Sequence, residues 1–143
     1  MGYPVPEIQT AFITRYRANT TLHGLLTGAT APEWGVFDAD GVPVGYPGDY
    51  IVTFPITNQI GEDMSFDADA TDTFQQVSIF TKSRGFARAR AIAKEVKNTT
   101  HKQALDLSAS NFNQYLLLFE ADQELPDGTN QHIPQRYKLQ TQG

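Results

Sequence analysis

The residues best suited to metal chemistry are the acids of the run Asp67-Ala68-Asp69-Ala70-Thr71-Asp72. Carboxylates at alternate positions are how an EF-hand loop wraps calcium, but its sixth position needs Gly for the sharp turn and its twelfth a Glu. Those places hold Asp72 and Ser78. A second start, Asp38-Ala39-Asp40, puts Pro43 at the turn position. Both read as solvated acidic loops. The histidines, His23, His101 and His132, fall in no ligand pattern such as H-E-x-x-H, and two of them border loops and read as surface residues.

Nucleophilic chemistry finds no better footing. The chain has no Cys, which removes thiolate metal sites and disulfides as well as Cys nucleophiles. No G-x-S-x-G elbow singles out a serine. Gly41-Val42-Pro43-Val44-Gly45 leads into neither a helix nor a Lys-Ser/Thr pair, so it is no phosphate cradle. With 16 acids in the chain, no one carboxylate pair stands out for acid–base work. An enzyme has no residue to rest on here, and no cofactor or metal is expected.

The basic residues Arg84, Arg88, Arg90, Lys94 and Lys97 could meet phosphates. Glu95 sits among them, and the whole chain carries a net charge of −5 with a pI near 5.0. They read as a solvated helix face or a protein contact rather than a nucleic-acid site. The aromatics are scattered at strand and helix spacing, which suits core packing better than base stacking.

These residues need elements to hold them. Residues 83–96 read as a helix with Phe86, Ala89, Ile92, Ala93 and Val96 on one arc and Ser83 as N-cap. A strand over 73–81 delivers the chain into it. Upstream, Pro6 and Glu7 suit a helix start, and Ile8, Ala11, Phe12 and Tyr16 recur at helical spacing, with Arg15 and Arg17 to the sides. One further turn is expected near Leu22. The Gly- and Pro-rich residues 28–49 exclude a long helix, with room for a short strand at Trp34-Gly35-Val36-Phe37 and a turn at 38–41. Tyr50, Val52, Phe54 and Ile56 alternate as in a half-buried strand, which Pro55 places at an edge or close to its end. Residues 61–72 read as a long acidic loop. Residues 105–107 suggest a short strand, and 115–121 one covered on both faces. A turn at 125–130 leads into a last strand with Ile133, Tyr137 and Leu139 on one side and Arg136 and Lys138 on the other.

At 143 residues, with 40% apolar and 11% aromatic residues, one globular domain is expected. The fold class is α+β: a mostly antiparallel sheet of four or five strands with two main helices packed on it. No stretch approaches a membrane span, no signal peptide opens the chain, and Pro6 spoils a myristoylation motif, so a soluble intracellular protein is the expectation.

In this order and spacing the chain resembles the tail-completion, or tail-terminator, proteins of long-tailed phages and gene-transfer particles. The likeness rests on the N-terminal helix, the Leu-rich segment ending at Gly28, and the strand Asp49-Tyr50-Ile51-Val52-Thr53-Phe54. It continues through Ile79-Phe80-Thr81-Lys82-Ser83-Arg84-Gly85 into the Ala-rich helix, and closes with Asp127-Gly128 and a last strand. Two places depart from the pattern: Asp49 stands where the family has Pro, and a Gly/Pro stretch replaces an apolar run before it.

The resemblance implies a ring-forming structural subunit, hexameric, at the tail–head junction of a virion. Such a ring caps the tail tube, stops its elongation and docks the head connector or head-closure protein. DNA passes through it without specific binding, and no membrane is involved. Candidate subunit contacts are Arg15, Arg17, Arg84 and Arg88. Candidate tube contacts lie in the acidic loop, at Glu62, Asp63, Met64, Phe66, Asp67 and Asp69. The competing readings are another neck component of the same particle, and a small binding module or enzyme.

Overall fold

In a computed structural model, residues 5–39, 41–60, 70–82, 86–105, 113–127 and 130–142 are described. The elements run α1 (Val5–Arg17), α2 (Thr20–Leu25), β1 (Val36–Phe37), β2 (Tyr50–Ile60), β3 (Ala70–Thr81), α3 (Ala87–Thr100), β4 (Asn113–Asp122), β5 (Leu125–Asp127) and β6 (Asn130–Gln142). Six strands form one sheet in the order β1-β2-β3-β6-β4, with β5 paired to β6 as a hairpin. All pairings are antiparallel except β1 with β2, so the expected α+β fold is present with a mixed sheet.

The helices share one face of the sheet. Ile8, Phe12 and Tyr16 of α1 and Ala89, Ile92 and Val96 of α3 are buried against Ile51, Val77, Ile79, Ile133, Tyr137 and Leu139. The expected arcs of both helices therefore face the core, and Phe86 packs partly against it. The Tyr16 hydroxyl lies 2.6 Å from Thr100 Oγ1, joining the two helices inside that core. Polar side chains are buried there too, among them Gln135 and Gln75, which both donate to partners. Gln135 donates to the Ala93 carbonyl at 3.0 Å and accepts from the Tyr137 hydroxyl at 2.8 Å. Gln75 donates to Thr53 Oγ1 at 2.8 Å and also to Gln9, whose own amide reaches the Thr53 carbonyl at 2.7 Å. Such pairing offsets the cost of removing amides from water.

Several expectations need correction. The capping residue of α3 is Phe86, whose side chain makes no capping hydrogen bond; Ser83 lies outside the described residues. The helix also runs on to Thr100. Residues 70–72 are strand rather than loop, because all three pair with β6 and Thr71 and Asp72 pair with β2 as well. Leu105 is buried but belongs to no strand, and 106–107 fall outside the described residues. β4 is an edge strand, not one covered on both faces: Leu117 is buried, Leu118 half-buried, and Glu120 and Ala121 exposed.

Both outer strands are interrupted along their free sides. On β4, the Leu117 carbonyl accepts the Lys102 N–H at 2.8 Å, and the Phe119 N–H donates to His101 Nδ1 at 2.9 Å. On β2, β1 pairs only at Ile51 and Val52; beyond it come Pro55, which has no N–H, and a register shift at Ile56.

Candidate interaction surfaces

Three of the four arginines singled out as subunit contacts make bonds within their own chain. Arg15 donates to the carbonyls of Thr99 at 3.0 Å and Ala104 at 2.9 Å, at the C-terminal end of α3. Arg17 donates twice to the Val36 carbonyl, at 3.1 and 2.8 Å, and fixes β1. Arg88 caps α2 through the Leu25 carbonyl at 2.9 Å. Cations at the last carbonyls of a helix also suit its dipole. Arg84 and the loop residues Glu62, Asp63, Met64, Phe66, Asp67 and Asp69 lie outside the described residues.

The basic face of α3 is partly spoken for as well. Arg90 makes a two-pronged pair with Glu124, with Nη2 to Oε2 at 2.8 Å. That pair holds the Glu124 carboxyl below, and the Arg90 guanidinium above, their ordinary ranges, chiefly through the hydrogen bonds. The Lys97 ammonium sits 4.3 Å from the centroid of the Phe119 ring. Cations engaged in this way are poorly placed to clamp phosphates. Among the described residues no cluster of His, Asp and Glu is suited to hold a metal ion.

The histidines are half-buried rather than free on the surface. His23 stacks on Trp34 at 3.9 Å between centroids, and its Nε2 lies 2.7 Å from the Arg17 carbonyl. His101 bonds β4, as above. His132 stacks on Phe80 at 4.1 Å, and Phe80 on Tyr50 at 4.9 Å. Tyr46 meets Tyr50 edge-on at 5.8 Å and Phe37 at 5.2 Å. This aromatic ladder crosses β6, β3 and β2 on the face away from the helices. Sequence reasoning found its members but not their meeting, because the register of β2, β3 and β6 brings them side by side.

Farther along the same face, Arg136 lies 4.3 Å over the Phe74 ring and pairs with Glu120 at 3.1 Å; Lys138 approaches Asp72 at 3.7 Å. The charges there are matched within the chain. Two large apolar side chains are nevertheless strongly exposed among the described residues: Val44 fully, and Ile56 at 44%. An aliphatic side chain left in water forgoes burial worth about 1.5–3 kcal/mol, so these two mark places where a partner would gain.

The family profile described as "Tail completion protein gp17" matches residues 10–142. A solved chain from the virion of a native gene transfer agent particle has the same fold, with a TM-score of 0.78 over 99% of this chain and 100% of its own, at 21% identity. A second solved chain gives a TM-score of 0.57 over 96% of this chain and 95% of its own, at 14% identity. No curated protein matches. With the profile spanning nearly the whole domain, the chain belongs to the tail completion protein gp17 family, structural proteins of phage-type tails.

Proposed function

We propose that copies of this protein close into a hexameric ring on the finished end of the tail tube, at the tail–head junction. There the ring stops further tube growth and offers the docking surface for the head connector. The observation that carries this reading is the family match over residues 10–142. A ring needs head-to-tail contacts that close by rotation. Arg15, Arg17 and Arg88 each retain N–H donors beyond those bonded to carbonyls, and these can meet acids of a neighbour. Arg84 and the acidic loop 61–69 remain proposed contacts, the loop towards the tube. A net charge of −5, with Arg136 and Lys138 already matched by Glu120 and Asp72, suits a conduit through which DNA slides without sticking.

The test is tail assembly with the gene deleted. Tails that overgrow support a terminator. Tails of normal length that fail to join heads assign the protein instead to closure of the neck.

A further inference from the structure

The chain just past α3 occupies one rung of the β4 edge. The Lys102 N–H reaches the Leu117 carbonyl at 2.8 Å, and His101 Nδ1 accepts the Phe119 N–H at 2.9 Å. Together they make the pair of bonds that a strand laid along β4 would make with these two residues. A ring nitrogen thus stands in for a backbone carbonyl. To bring its N–H round, Lys102 takes φ 58°, a left-handed conformation that is costly for a residue with a Cβ. His101 is held in place by its own N–H, which bonds the Lys97 carbonyl at 2.8 Å and closes α3.

An acceptor of this kind exists in one protonation state only. A ring nitrogen that accepts a backbone N–H carries no hydrogen, so the bonded imidazole is neutral with its proton on Nε2. A second proton would go to Nδ1, and two donors would then face each other. Turning the ring over does not help, since that puts a C–H where the acceptor was. The charges on the adjoining segments offer the cation no counter-ion. Lys97 lies one turn back on α3, Lys102 is next in the chain, and Arg15 of α1 bonds the Thr99 and Ala104 carbonyls on either side. Glu95 of α3 is bonded by Asn19 and Thr99. On β4, Glu120 is paired with Arg136, and Asp122 shares a cleft with Arg90, Lys94 and Lys97. Among the described residues no carboxylate lies within ion-pair distance of His101.

We propose that His101 is a pH-sensitive latch on the β4 edge, closed while its ring is neutral and released when the ring gains a proton. The latch is complete above the usual imidazole range and is lost as pH falls below it. Release bares the Leu117 carbonyl and the Phe119 N–H, two edge groups that a strand from another chain can take up. The device belongs to the single chain and stands or falls apart from the ring reading.

Hydrogen exchange followed amide by amide with NMR tests it, each amide read as its protection over the intrinsic rate at that pH. Between pH ~7.5 and pH ~5.5 the Phe119 amide should lose protection about tenfold, the factor by which a free imidazole leaves its neutral form. The Val77 amide, on the central strand β3, should hold its protection. His101→Asn sets an oxygen where Nδ1 was and does not titrate, so Phe119 should stay protected at both pH values. His101→Phe offers no acceptor and should leave Phe119 open at both. Phe119 protection that is absent or constant with pH in the parent, or that falls equally in His101→Asn, overturns the latch. So does a fall that Val77 shares in full, which would report unfolding of the whole domain.

Discussion

The Lys82 backbone N–H donates to Asp49 Oδ1 at 3.0 Å, and this contact sets the start of β2 against the end of β3. The other carboxylate oxygen accepts the Thr27 N–H at 3.3 Å, so one side chain, only 3% exposed, joins three segments. Asp49→Ala leaves two shielded donors without an acceptor and is expected to cost about 1–3 kcal/mol. Asp49→Asn, which keeps one acceptor, should cost less. Urea unfolding midpoints at constant slope measure both, and an Ala variant as stable as the parent would remove this role.

Two glycines should respond to alanine with opposite signs. A Cβ at Gly48 would stand 2.6 Å from the Thr27 carbonyl oxygen, a backbone atom that cannot swing away. Gly48→Ala should therefore lower the melting temperature by several degrees, equivalent to a loss of about 2 kcal/mol. A Cβ at Gly24, inside α2, meets nothing within 4 Å. Gly24→Ala should raise stability by about 0.5–1 kcal/mol through the lower entropy of the unfolded chain. Thermal melts of the two single variants, side by side, decide it.

Alkaline pH should unfold the protein through its core phenols. Burial pushes the Tyr16 and Tyr137 hydroxyls well above their ordinary range. Above pH ~10 the unfolded chain releases these protons while the native state keeps them, so stability falls with rising pH. Below that pH their contribution is fully present and flat. Tyr16→Phe should shallow the fall between pH 9 and pH 11, as read from urea midpoints at each pH. An unchanged slope would mean that other groups drive it.

Gln135 and Tyr137 should prove coupled. Gln135→Leu removes the acceptor 2.8 Å from the buried Tyr137 hydroxyl and is expected to cost about 1–3 kcal/mol, whereas adding Tyr137→Phe should recover part of that loss. Equilibrium unfolding of the singles and the double closes the cycle, and strict additivity would argue against the pairing.

Much of the architecture was legible from periodicity. The stripes of α1 and α3 and the alternation of β6 point to the core as the sequence suggests, because Ile8, Phe12, Ile92, Val96, Ile133 and Leu139 have no other way to leave water. What misled was chemistry at buried polar positions. Tyr50, Val52 and Phe54 mark one side of β2, yet the helices cover the other, where Thr53 sits among Gln9 and Gln75. A glutamine in a strand reads as surface until its partners are known. The direction of β1 was equally hidden, since two residues carry no signal of which way they pair. As for the candidate contacts, an arginine's exposure can be guessed from helical phase. The carbonyl it will reach depends on elements as far apart as Arg15 and Thr99.

The stops along β2 and β4 bear on what happens before assembly. Pro55, the Ile56 shift and the bonds from His101 and Lys102 deny a stray strand a template on either side. Chains brought to high concentration are then less prone to pair edge to edge into fibrils, and stay available as separate copies.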